Sequence, residues 1–337
     1  MERKAEILEE EGFRNYCLQR KLSEKTIQAH VKIVKEFETF LKTKCHNRSI
    51  TNATSANLHA FVKHLMEENR NTWDNLLPLV RYARFINNKE IIVPLLELLD
   101  GSDVLESLSN TIKQTVGKTK HKAIFEGIKL PPLGTLPKYK PKITKKFMDS
   151  LEAELGVSKC REILSSGPHA GPKEQYLPEQ KKFLESKSID DFLTKKHKEY
   201  VEELEKHMKE KTLYFTQEIT KEVLDYVRKT PTCQVGVREG DIIYVTKIPY
   251  MAKEYLREKN PKKKRYYACH CAWVREAIKS DLTISPDFCY CSAGFEKRLW
   301  DVIFGQNVKA DVVGSVLKGD LVCEFAIHIP KEYPGKR

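Results

Sequence analysis

The 337-residue chain has no long apolar run. Its longest nearly apolar stretch, Ile91 to Leu99, holds Pro94 and Glu97 and falls far short of the roughly 20 residues a helix needs to cross a bilayer. The opening Met1-Glu2-Arg3-Lys4-Ala5-Glu6 is charged and leads into no apolar segment. No signal peptide and no membrane span are therefore expected, and the default is a cytoplasmic soluble protein. Glycine and proline are sparse at 15 each, too few for a collagen-like or mucin-like chain, while a 40% hydrophobic content is too high for a wholly disordered one. The length suffices for two domains with separate cores.

Charge is abundant but uneven. The formal net charge is +12, yet residues 1–110 sum to zero, residues 111–150 carry +8 and residues 261–270 add +4. The excess lies in Lys113, Lys118, Lys120, Lys122, Lys129, Lys138, Lys140, Lys142, Lys145 and Lys146, and in the run Lys262-Lys263-Lys264-Arg265. Such a lysine-rich stretch serves as a solvated spacer or as a phosphate-contacting segment.

Helical spacing dominates residues 1–116. Ser23 is a good N-cap for a helix carrying Ile27, Val31, Val34 and Leu41 to about Lys44. Thr54 or Ser55 caps a second with Leu58, Phe61, Val62 and Leu65 inward, and Trp73, Leu76, Leu77 and Val80 mark a third. This predicts an all-α N-terminal helical bundle. The stretches Phe13-Arg14-Asn15-Tyr16-Cys17-Leu18, Leu22-Ser23-Glu24-Lys25-Thr26-Ile27 and Phe37-Glu38-Thr39-Phe40-Leu41 resemble the SAM-like core-binding domain of tyrosine recombinases. The resemblance implies a bundle that clamps DNA beside a catalytic domain bearing Arg, His and a nucleophilic Tyr. No His-x-x-Arg follows in this chain, so recombinase chemistry is not expected, and the bundle serves contact with DNA or with a protein partner through residues 1–147.

Residues 117–143 interleave lysines with Pro131, Pro132, Pro137 and Pro141, and are expected to form an extended connector. The second domain, 144–337, opens with helices at about 145–165 and 179–210 and another over Gln217 to Lys229. Beyond residue 233 the period shortens. A hairpin punctuated by Gly236 and Gly240 leads into the strand Asp241 to Ile248, and the chain ends with strands Val308 to Val316 and Leu321 to Ile329 around Lys318-Gly319-Asp320. The expected class is an α+β C-terminal domain with an antiparallel sheet and helices on one face.

Nine cysteines without a secretory leader make a poor disulfide framework. Four cluster as Cys269-x-Cys271, seventeen residues, Cys289-x-Cys291. Each pair is expected where a strand gives way to a helix, so that residues i and i+2 offer two sulfurs to one face. The helix starts, with Arg265, Arg275, Lys297 and Arg298 nearby, are expected to favour thiolate at Cys271 and Cys291. Four converging thiolates need a cation between them: zinc first, an iron–sulfur cluster or Cu(I) second. His270 points to the opposite strand face as a bystander. Cys160 and His169, flanking a Gly/Pro loop, form another candidate nucleophile pair. Tyr244, Lys247 and Tyr250 line a pocket or simply alternate across the sheet.

The stretch Phe288-Cys289-Tyr290-Cys291-Ser292-Ala293-Gly294-Phe295, then Val308 to Ser315, then Gly319-Asp320-Leu321-Val322-Cys323-Glu324-Phe325-Ala326-Ile327 resembles the 4-vinyl-reductase-like small-molecule-binding domain. Residues 145–330 also look like an uncharacterised prokaryotic family with the same Cys-x-Cys pairs, some of whose relatives carry annotations of amino-thiazoline carboxylate hydrolysis. These likenesses imply a ligand pocket and place Cys323 as the hairpin cysteine. Three functions follow as expectations. The first is a cytoplasmic zinc-binding sensor or binder of a small molecule, with metal ligands Cys269, Cys271, Cys289 and Cys291. The second is a hydrolase cleaving a C–N or C–S bond with Cys271, Cys291 or the Cys160–His169 pair, or with a metal-bound water. The third is an accessory DNA-binding protein without recombinase activity.

Overall fold

The structure is a computed structural model, and it describes residues 9–168, 170–280 and 282–331. The chain divides into two compact units. One is Met1–Ser102 with Pro131–Leu136; the other is Asp103–Leu130 with Pro137–Arg337.

The first unit is helical throughout, with α1 (Glu10–Gln19), α2 (Glu24–Lys44), α3 (Ser55–Glu67), α4 (Trp73–Phe85) and α5 (Lys89–Leu99). The Ser23 hydroxyl accepts from the Thr26 N–H at α2, satisfying one of the donors a helix start leaves open. Thr54 and Asn57 close a reciprocal capping box on α3. The apolar stripe of α2 is fully buried at Ile27, Val34 and Leu41. Phe13, Tyr82 and Phe85 stack edge-on or tilted at one end of the core, and Phe37, Phe40 and Phe61 do so at the other. The segment Pro131–Leu136 belongs here because Asn71 donates to the Leu133 carbonyl at 2.8 Å. Gly134 sits at φ +90° against Val62, where any Cβ would stand 2.7 Å from a Val62 methyl; only glycine meets both demands.

The second unit is α+β. Its helices are α6 (Val104–Ile124), α7 (Lys140–Leu164), α8 (Leu177–Glu185), α9 (Ile189–Glu210), α10 (Lys221–Lys229), α11 (Ala252–Arg257), α12 (Pro261–Ala268) and α13 (Tyr290–Phe304). Strands β1 (Leu213–Tyr214) and β2 (Gln217–Glu218) form a small hairpin. The strands β3 (Val237–Glu239), β4 (Ile242–Thr246), β5 (Ala310–Gly314) and β6 (Glu324–His328) make one antiparallel sheet in the order β3-β4-β6-β5. Helix α13 packs against β5 and β6, and α9 against β3. The expected fold class holds in both halves.

Three local expectations do not. Residues 117–143 are not an extended connector: α6 carries on to Ile124, α7 starts at Lys140, and the break comes at Gly117, whose φ of 82° and ψ of 170° interrupt α6. The prolines crowd into 131–141, which left the lysine-rich stretch before them free to coil. The helix placed over Gln217 to Lys229 begins only at Lys221, where Thr220 caps it, because Gln217 and Glu218 pair with the preceding strand. No strand carries either Cys-x-Cys pair. Cys269 ends α12, Cys271 lies in the turn that follows, Cys289 ends a 3-10 turn (Pro286–Cys289), and Cys291 sits in the first turn of α13. The small, β-favouring look of those stretches reflects burial rather than pleating, since Ala268, Cys269, Phe288, Cys289, Tyr290 and Cys291 are all buried.

Candidate functional site

Hydrogen bonds draw four separate stretches of the second unit to one place. The Lys247 N–H, just beyond β4, donates to the Cys323 carbonyl at 3.0 Å. Tyr250 and Met251 donate to the Ala268 and Tyr267 carbonyls at 3.4 and 2.9 Å, which sets the Cys269–Cys271 turn beside the same strand end. His270 closes that junction through Nε2 on the Ile248 carbonyl. The Ser315 hydroxyl, at the end of β5, donates to the Cys289 sulfur at 2.9 Å, and the Val316 N–H reaches the Cys323 sulfur. Asp320 fixes that turn by accepting from the Ser315 N–H at 2.8 Å.

The end of α7 holds the Cys289–Cys291 stretch from the other side. Ser285 donates to Glu152, and Arg161 pairs with Asp287 at 2.9 Å while its guanidinium covers the Tyr290 ring at 5.1 Å. Gly294 of α13 lies directly on the Ser165–Gly167 backbone. Thr144 donates to the Trp273 carbonyl at 3.0 Å, so the same helix also anchors the chain just past Cys271.

The result is a single buried nest of five sulfurs. Cys269 feels the charge of Cys271, Cys323 and Cys289; Cys289 feels Cys323 and Cys271; Cys291 feels Cys271 and Cys289. The four cysteines predicted to meet are together, and Cys323 joins them. Burial, reinforced by this mutual repulsion, pushes Cys269, Cys289 and Cys291 far above the usual thiol range. Burial raises Cys323 as well, against the Val316 N–H that works to lower it. The expected helix-start thiolate at Cys291 is therefore overturned. Removing a charge from water costs several kcal/mol, against about 1 kcal/mol from a helix terminus.

The basic residues expected to help are engaged elsewhere. Lys297 is held by Asp301 at 2.9 Å and by Asn307, Arg265 donates to the Val316 carbonyl at 3.2 Å, and Arg275 lies over the Tyr250 and Tyr266 rings. The cation that faces the sulfurs is Lys247. It pairs with Glu296 at 3.4 Å, both side chains 11% exposed, between the Phe295 and Phe325 rings. Burial pushes the Lys247 ammonium down, but Glu296, Cys323 and Cys271 outweigh it and hold the group above the ordinary lysine range. Burial raises the Glu296 carboxyl, and Lys247 offsets part of that. A lysine at the end of an apolar strand was the one sequence signal for this pair; Glu296, on a helix among ordinary surface charges, gave none.

His270 is not the free bystander of an opposite strand face. Burial first, then Lys247, lowers it to about 3, so it is neutral and its Nε2–H donates to Ile248. Cys160 is buried in α7, and burial, with Glu152 and Asp287 nearby, raises it to about 12. Its expected partner His169 lies outside the described residues. Tyr250 lines the region, edge-on to His270 at 5.3 Å.

Among the described residues, the one trio of potential metal ligands whose donor atoms all lie within 4.8 Å of one another is Glu36, His64 and Glu68 in the first unit. It is partly exposed, and Arg70 already occupies Glu36 at 2.7 Å and Glu68 at 2.9 Å. No helix of the described residues is long and apolar enough to cross a membrane.

On the outer face of α2, Lys25 and Lys32 are exposed and have no salt-bridge partner among the described residues. They stand two turns apart, about 10 Å along the axis, with Gln28, Ala29, Thr39 and Thr43 exposed on the same face. Lys35 and Lys42 flank them, tied to Glu10 and Glu38.

No curated protein and no solved structure matches the chain. Residues 11–84, which span α1 to α4, match the family model described as Phage integrase, N-terminal SAM-like domain, and over that stretch the chain is similar to this domain.

Proposed function

We propose that this protein is a DNA-contacting accessory protein whose N-terminal bundle docks on the duplex backbone and performs no strand chemistry of its own. The observation that carries the reading is the match of residues 11–84 to the integrase SAM-like domain. The exposed lysine face of α2 gives it a physical means. Each lysine that neutralises a phosphate releases a condensed counterion, so two suitably spaced lysines on a polar helix face supply sequence-independent affinity. Lys113, Lys118, Lys120 and Lys122 stand exposed on α6 and add to the positive field. The zero net charge of residues 1–110 sets a limit: binding through this bundle is weak, salt-sensitive and indifferent to sequence.

Retention of the full chain on labelled duplex DNA across a salt series tests the reading. The wild type is expected to weaken steadily as salt rises. Lys25→Glu/Lys32→Glu is expected to cut affinity at low salt at least about tenfold and to flatten the logarithmic salt slope by about 2, close to one per phosphate contact. Retention that ignores salt, or a double variant that binds like the wild type, would remove the bundle from the account.

The second unit enters as a buried thiol site rather than as a nucleophile. A hydrolase using Cys291 or Cys160 needs a thiolate, and burial holds both sulfurs protonated.

A further inference from the structure

Five sulfurs from four separate stretches meet in one buried nest, and the only cation facing them is a lysine already paired with a carboxylate. Packing alone does not account for the arrangement. A buried thiol is a small apolar group that any core position accepts singly, but Cys269, Cys271, Cys289, Cys291 and Cys323 converge from a helix end, a turn, a 3-10 turn, a helix start and a strand entry. The donors around them are placed as if for anionic sulfur. The Val316 N–H reaches Cys323 and the Ser315 hydroxyl reaches Cys289, while Lys247 adds a full positive charge. Such hydrogen bonds to ligand sulfurs tune a metal–thiolate centre.

The spacing discriminates between centres. One tetrahedral zinc at about 2.3 Å from each sulfur brings its four sulfurs to within about 3.8 Å of one another. Among the described residues, no three of these sulfurs lie within 4.8 Å of one another. A four-iron cluster binds each thiolate to a different iron and so holds its ligands farther apart than a single ion does. Its assembly with thiolates leaves a net negative core, and Lys247 lies where it offsets that charge. We propose that the nest of Cys269, Cys271, Cys289, Cys291 and Cys323 takes a polynuclear iron–sulfur cluster, with Cys289, in electrostatic reach of Cys269, Cys271, Cys291 and Cys323, as an obligatory ligand. Each ligating thiol gives up its proton as it binds iron, and the fifth sulfur remains beside the cluster as a thiol.

The test is anaerobic reconstitution of the full chain with ferrous iron and sulfide, followed by desalting and measurement of iron, acid-labile sulfide and visible absorption. About four irons and four sulfides per chain with a broad visible band are expected. Cys289→Ser and the half-buried Cys271→Ser are each expected to lower retained iron at least about tenfold, while Cys45→Ser, in the other unit, keeps it. A colourless chain that retains no iron overturns the proposal, as does one that instead binds a single zinc stoichiometrically. Full iron retention by Cys289→Ser overturns its assignment as a ligand. These readouts are independent of DNA binding, so either reading can fail alone.

Discussion

Glu296→Ala is expected to destabilise the second unit by about 3–5 kcal/mol, the cost of leaving a buried charge without its partner. Lys247 is confined between Phe295 and Phe325 at the end of β4, and Glu296, reaching back from α13, is its only ion-pair partner among the described residues. Alanine leaves the ammonium in place and removes what balances it. The double variant Lys247→Met/Glu296→Met separates charge loss from packing loss, because exchanging both members of a buried pair for apolar groups of similar size is often neutral or stabilising. Urea unfolding followed by tryptophan fluorescence reports on this unit, since Trp273 and Trp300 are both buried within it. A loss below about 1 kcal/mol for Glu296→Ala would mean that water reaches the pair and that it does not balance charge in a dry site.

Gly294→Ala is the second large effect. In α13 an alanine is normally the better helix former by about 1 kcal/mol, so the helix itself would gain. The tertiary contact reverses the sign. A Cβ at Gly294 would stand 2.7 Å from the Ser165 carbonyl oxygen and 2.7 Å from the Gly167 nitrogen. Both are backbone atoms, and neither can turn aside as a side chain would. The end of α7 must separate from α13, and overpacking of this kind typically costs about 1–3 kcal/mol and occasionally more. The displaced helix start carries Cys291 and adjoins Cys289, so Gly294→Ala is also expected to lower iron retention on reconstitution. Thermal unfolding of the full chain and the retained iron check the two consequences. An unchanged melting transition would show that α7 and α13 are not in contact at this point.

How far the residues foretold this fold depends on whether the signal was local. Ser23 and Thr54 announced the starts of α2 and α3 because capping is decided within four residues. The end of α2 at Lys44 and the closing hairpin of β5 and β6 were legible for the same reason. The lysine-rich stretch around Lys118 to Lys122 misled because charge says where a segment faces, not whether it coils, and the true break needed the conformation of Gly117. The meeting of the two Cys-x-Cys pairs was foreseen from their repetition, but through the wrong element. The sulfurs come together at helix ends and turns, which no two-residue period describes. Cys323 entered only as a hairpin thiol, since the turn at Ser315 and Val316 that brings it to Cys289 is a long-range feature. Glu296 was invisible because its partner lies 49 residues earlier in the chain.

The DNA reading stands or falls on where the duplex touches the protein. Lysine acetylation footprinting of the full chain, with and without duplex DNA and read by mass spectrometry, locates that contact residue by residue. Lys25 and Lys32 are exposed without ion-pair partners among the described residues, so both label readily in the free protein, and DNA is predicted to shield them in a way that salt reverses. Shielding confined to the lysines of 113–146, or none anywhere, would contradict the proposed role of the bundle.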